Sequence, residues 1–216
     1  MKPEYLFMNV VAPAFILLPI IIALLRYNAL SCTGRAIFYY LLVNLVVCII
    51  SSALALLHSP NLFLYHFSTI AETLMLLNFF RLVFYKKQFS KYIRWLMLIF
   101  PLLALLNTLF LQHINQFNSY ALSLQSILII GLCFLYWWKQ QDDEGHAWAS
   151  LPLNWIISGL LLYFSSAFIL FTFSHMIVSL ASRTTSIIIW NVHAGLSVLM
   201  LLFISIGFRK YTPHEQ

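Results

Sequence analysis

Apolar runs of about twenty residues recur along the chain, and short clusters of Arg, Lys, Asn, Ser and Pro punctuate them. A helix rises 1.5 Å per residue, so about 20 apolar residues cross the ~30 Å hydrocarbon core of a bilayer. The pattern predicts seven membrane-spanning helices, over 6–25, 36–57, 61–84, 93–112, 119–138, 153–176 and 186–208. The fold class expected is therefore an all-α membrane protein, a seven-transmembrane-helix bundle forming a single domain over 1–216 with no soluble domain.

Details within the runs sharpen this reading. Pro13 and Pro19 in the first span and Pro101 in the fourth each remove a backbone donor and predict kinks. Asn44, Cys48, Ser51 and Ala55 share one face of the second span, which should pack against another helix. Ser59 and Pro60 read as the N-cap and first position of the third span, and Asn118 or Ser119 as the cap of the fifth. In the sixth span Ser158, Ser165 and Thr172 recur every seven residues, with Gly159 and Ser166 beside them. A stripe of small residues there predicts a close approach of two helix backbones.

Charge fixes an orientation. With the N-terminus outside, the inner segments hold Arg26, Arg35, Arg81, Lys86, Lys87, Lys91, Arg94, Lys139, Arg209 and Lys210. The outer segments hold only Lys2 and Arg183. Ten against two places the C-terminus in the cytoplasm under the positive-inside rule. Trp95, Trp137, Trp138, Trp148 and Trp155 gather near the same inner boundary, as an aromatic belt would.

Composition removes other classes. Only 8% of residues are charged and 62% are hydrophobic, against about 25% charged in a soluble domain. The net charge of +6 sits at one set of helix ends, which gives no basis for nucleic-acid binding. The lipid bilayer is the expected surrounding, and a bacterial inner membrane the expected location. Cys32, Cys48 and Cys133 have no metal-ligand spacing. The N-terminal run is too long for a signal-peptide core, so it reads as a retained helix. The polar segments are too short for an output domain, so any signal would pass to a partner protein at the cytoplasmic loops. The basic stretch from Arg81 to Arg94 reads as an inner loop in contact with anionic lipid.

The polar residues left inside the spans are the candidates for chemistry. Glu72 is the one acid within a span, and an ionisable group at that depth costs ~3 kcal/mol or more unless paired. His66, Gln125, His175, Asn191 and His193 fall at comparable or shallower depth in the outer half. Glu72 and His193 are the expected pair forming or lining a ligand site, with His66, Gln125, His175 and Asn191 supporting. A purely structural role, a protonated Glu72 hydrogen-bonded to a neighbouring helix, explains that residue equally well. On single helices, His66, Thr69 and Thr73 share a face that excludes Glu72, and His193 shares none with Asn191.

Three functions fit. A sensor or receptor would bind a ligand among these side chains and signal through a partner, without a cofactor. A metal-dependent hydrolase of lipid-like substrates would hold zinc through His66, Glu72, His175 and His193. The chain departs from hydrolases of the ceramidase and adiponectin-receptor type, because no aspartate lies in a span and His193 has no second histidine four residues away. A small-molecule or proton-coupled transporter would use the acid alone, but no internal repeat accompanies it. The seventh span has no lysine, which argues against a retinal Schiff base there. The receptor motifs below helix three and in helix seven are also absent, with only NFFRLVFY at 78–85. YHFSTIAETLMLLNFFRLVF at 65–84 and WNVHAGLSVLMLLFISIGFRK at 190–210 resemble segments of small stand-alone bacterial seven-helix membrane proteins. A sensory role is attributed to that group, and the resemblance implies Glu72 and His193 as the pair to test.

Overall fold

The computed structural model describes residues 3–85, 87–140 and 147–212, and these form helices and turns with no strand among them. Seven helices are long and apolar enough to cross a membrane. They are α1 (Phe7–Leu25), α2 (Cys32–Leu56), α3 (Leu62–Val83), α4 (Lys87–Leu106, continued by a π-helical turn Asn107–Leu111), α5 (Ser119–Gln140), α6 (Pro152–Thr172) and α8 (Arg183–Lys210). A short α7 (Ser174–Leu180) lies between α6 and α8. Within the spans only 22% to 44% of the most apolar window is buried against protein. Most of that apolar surface is thus left for lipid, as on α4, where Leu98, Leu102, Leu109 and Phe110 are each more than 60% exposed.

Several boundaries move from their predicted places for identifiable reasons. Ser59 and Pro60 do not start α3; they help to end α2. Ser59 donates its N–H to the Leu54 carbonyl at 2.9 Å and His58 to that of Ala55 at 3.2 Å, the paired bonds of a Schellman motif. His58 accordingly sits at φ 52°, in the left-handed region where glycine is usual. Asn61 precedes α3 without capping it and instead donates to Ser51 Oγ at 3.0 Å. The basic segment that reads as a loop is largely the first turns of α4, with Lys91 and Arg94 exposed on the helix. Lys86 lies outside the described residues, as do the acids at 142–144. Ser182 caps α8 by accepting the Thr185 N–H at 3.1 Å, so that helix starts a turn earlier than predicted.

The prolines act differently in their two helices. At Pro19 the ladder tightens: Ile16 donates to Pro13 at 3.2 Å and Leu18 to Phe15 at 3.0 Å. Proline supplies no N–H and crowds the carbonyl four residues back, so the turn at 15–16 interrupts α1. Around Pro101, α4 stays helical without a break and widens only at the π turn beyond Leu106.

The chain divides into two compact units, Ser31–Gln125 and Met1–Leu30 with Ser126–Gln216. In the first, α2 packs against α3 and α3 against α4. Of the predicted α2 face, Ser51 meets Asn61 and Tyr65 and Cys48 lies near Tyr65, while Asn44 donates to the Tyr40 carbonyl of its own helix and Ala55 is exposed. Phe79, Phe80, Phe84 and Phe89 form a run of ring contacts 5.0 to 6.1 Å apart along α3 and into α4.

In the second unit, α6 and α8 pack antiparallel along a notch made by two glycines. A Cβ on Gly159 would stand 2.8 Å from Phe203 Cβ and 3.1 Å from the Met200 carbonyl. One on Gly207 would stand 2.6 Å from Ile156 Cγ1 and 3.0 Å from the Pro152 carbonyl. The close approach therefore falls on Gly159, beside the small-residue stripe, while Thr172 is exposed. Both ends of α8 are tied to α1. Arg183 bonds Glu4 at 3.0 Å and Tyr5 at one end, and Arg26 donates to the Tyr211 carbonyl at 2.8 Å at the other. These two helices run parallel, as the first and last of an odd number of spans must.

Of the tryptophans predicted as a belt, Trp95 and Trp138 are exposed, while Trp137, Trp148 and Trp155 are packed on each other. Trp137 stacks on Trp148 at 6.1 Å, Trp148 meets Trp155 at 5.1 Å, and Trp155 meets Phe203 at 5.5 Å. Tyr136 donates its hydroxyl to Asn154 at 2.6 Å, and Asn154 donates to the Trp148 carbonyl at 3.0 Å. The ladder fastens α5, the turn at 148–150 and α6 in one unit.

Candidate functional site

Glu72 and Gln125 come together within the Ser31–Gln125 unit. Glu72 lies mid-way along α3 and is half-buried. The Gln125 side chain, 2% exposed on α5, interacts with the Glu72 carboxyl. Its amide nitrogen Nε2 makes no hydrogen bond of regular geometry. One turn pair before Glu72, Tyr65 reaches the Ser51 hydroxyl and lies within electrostatic range of Cys48 and of Glu72 itself. The arrangement is a carboxyl loosely paired with a buried amide donor and flanked by hydroxyl and thiol groups. A fully unsatisfied buried donor costs about 1–3 kcal/mol, so a group that met Nε2 in better geometry would gain part of that.

His66 belongs to a different cluster in the same unit. Its Nδ1 meets Thr108 Oγ1 at 2.8 Å and its Nε2 the Gln116 carbonyl at 3.1 Å. A carbonyl only accepts, so Nε2 carries a hydrogen; Thr108 has one hydroxyl hydrogen, which the Ala104 carbonyl at 3.0 Å and Nδ1 both border. Asn118, expected as a helix cap, donates to Thr69 Oγ1 at 3.3 Å and to the Tyr65 carbonyl at 3.4 Å, and accepts from Asn107 at 2.9 Å. Gln112 then supplies the cap, taking the Tyr120 N–H at 3.0 Å and donating to Ser119 at 2.7 Å. This network fastens the 107–119 connection onto α3. Its signal in the sequence is the density of amide and hydroxyl residues in NTLFLQHINQFNS, which single-helix faces did not assemble.

His193 lies in the other unit. Ser166 gives its hydroxyl hydrogen to the Tyr163 carbonyl at 2.7 Å and meets His193 Nδ1 at 3.2 Å. With that hydrogen spent, Nδ1–H is the donor and Nε2 is left as an acceptor. The half-buried imidazole is bordered by Tyr163, Phe171 and Trp190, at 5.1, 5.6 and 6.5 Å between ring centroids. Asn191 points elsewhere: it donates to the Glu4 carbonyl at 3.2 Å and holds the N-terminal turn. His175 sits on α7, exposed, because α6 ends at Thr172. Among the described residues no three His, Cys, Asp or Glu side chains stand together as a metal site requires. His66 in particular has both ring nitrogens occupied.

Seven helices long and apolar enough to cross a membrane define a multi-pass, all-helical membrane protein. Neither a protein-family model, nor a curated protein, nor a solved structure matches the chain.

Proposed function

We propose that this chain is a receptor-like membrane sensor, with its N-terminus outside and its C-terminus in the cytoplasm, in which Glu72 and Gln125 form the ligand-responsive site. The observation that carries the reading is the buried Gln125 amide set against the single carboxyl of the spans, with no hydrogen bond of regular geometry from Nε2. An ionisable group at that depth is costly to bury and marks a functional site. A ligand with an acceptor group would compete with the Glu72 carboxyl for that amide. His193, with Nε2 open and aromatic rings around it, is a second ligand-responsive position. The signal leaves through the cytoplasmic helix ends to a partner, and the orientation rests on the ten-to-two distribution of Lys and Arg.

Three measurements on purified, reconstituted protein test this. Metal analysis should find no stoichiometric zinc; zinc that disappears in His193→Ala would establish the hydrolase instead. Vesicles should accumulate no solute; accumulation abolished by Glu72→Gln would establish a carrier. Amide hydrogen exchange at the inner ends of α3 and α4 should differ between wild type and Glu72→Gln. Identical exchange would sink the sensor reading.

A further inference from the structure

The NFFR segment at 78–81 belongs to none of these clusters, yet its arginine is held by two hydrogen bonds. Arg81 donates from Nε at 3.2 Å and from Nη2 at 2.8 Å to one acceptor, Asn78 Oδ1. A guanidinium has five N–H groups and accepts nothing, so three remain, including the outer edge shared by Nη1 and Nη2. The same logic orients Asn78: its oxygen must face the guanidinium, so its Nδ2 donor turns away. No carboxylate among the described residues pairs with Arg81; the one ion pair found there is Arg183 with Glu4. A cation is held in place with its best recognition edge open.

Directly beside it, α2 and α3 leave a groove of about 270 Å³ lined by Ala36, Tyr39, Leu74, Met75 and Asn78. Depth orders these groups. Leu74 and Met75 lie deepest along α3, Asn78 a turn further on, and Arg81 two residues before the helix ends at Val83. Apolar wall, amide donor and guanidinium thus follow one another from the hydrocarbon toward the headgroup level. That is the polarity sequence of one anionic lipid, acyl chain first and phosphodiester last. Planar bidentate donors suit a phosphate better than a point charge does.

We propose that this groove is a binding site for an anionic phospholipid, with Arg81 and Asn78 Nδ2 on the headgroup phosphate and an acyl chain along Tyr39, Leu74 and Met75. The general attraction of Lys91 and Arg94 for a negative membrane surface adds no such selectivity, because both are exposed on α4 and neither lines that groove.

The full chain in phosphatidylcholine nanodiscs containing trace spin-labelled lipid tests the site. Wild type should hold spin-labelled phosphatidylglycerol about fivefold more strongly than spin-labelled phosphatidylcholine, the factor that corresponds to ~1 kcal/mol for one basic residue at the surface. Arg81→Gln should remove that preference, and Asn78→Ala, which frees the guanidinium to wander, should reduce it. Arg94→Gln should leave it intact, and its unchanged helical spectrum beside that of Arg81→Gln excludes misfolding as the cause. Equal selectivity in wild type and Arg81→Gln would overturn the proposal, as would loss of selectivity in Arg94→Gln. Displacement of the labelled lipid by millimolar inorganic phosphate would show a free-anion site and overturn the lipid assignment.

Discussion

Asn118 and Gln125 are both buried amides on or just before α5, and they should respond unequally to truncation. Asn118 joins Asn107, Thr69 and the Tyr65 carbonyl, so Asn118→Ala strands partners that have no water to turn to. Single hydrogen bonds in membrane proteins average ~0.6 kcal/mol; three together predict a loss of about 1–2 kcal/mol. Gln125 makes one interaction, with the Glu72 carboxyl, and no hydrogen bond of regular geometry. Gln125→Leu should therefore cost less, about 0.6 kcal/mol, the average of one such bond. Denaturant titration in bicelles measures both; a larger loss for Gln125→Leu than for Asn118→Ala would mean that the Gln125 amide is structurally committed. Of these two roles the sequence carried one. Glu72 and Gln125 were legible as polar residues at similar depth, whereas Asn118 read as a local cap because its partners lie about 50 residues away on α3.

Helix by helix, the tightest constraints sit where backbones approach or turn. Gly159→Ala and Gly207→Ala each drive a Cβ into backbone or near-backbone atoms of the partner helix, so α6 and α8 must separate. The expected loss is about 1–3 kcal/mol apiece, the usual cost of overpacking. Gly131 and Gly195 face open space, and replacing either by Ala should be neutral or stabilise by up to ~1 kcal/mol through helix propensity. Matched unfolding curves for the four variants decide the matter: equal effects at all four positions would deny the notch. At the end of α2, His58→Gly should stabilise by about 1 kcal/mol, because the left-handed conformation costs a side-chain-bearing residue about that much. The spacing of small residues located the α6 contact to within one position. It could not choose between Ser158 and Gly159, since neighbouring positions differ by 100° and only the partner helix selects the face.

Across the whole chain, orientation in the membrane offers a test with native groups. Cys32 is exposed at the start of α2, while Cys133 is buried within α5. If the basic ends face the cytoplasm, a membrane-impermeant maleimide should label Cys32 only after the membrane is permeabilised, and Cys133 only after unfolding. Labelling of Cys32 in intact cells would invert the topology. A C-terminal tag should be shielded from outside reagents in the same experiment.

The sequence by itself determined the helical class, the seven spans and the uneven distribution of charge. Each of these follows from what every residue must do alone when water is withdrawn: hide backbone polarity in a helix and keep charge at the ends. Only the tertiary structure decided which polar groups are spoken for. Hydrogen-bond partners on different helices are set by rotation and register, which periodicity leaves open. Thus His66 proved to be held by Thr108 and Gln116, Asn191 by the N-terminal turn and the basic loop by α4, while Glu72 kept beside it a donor that no regular bond uses.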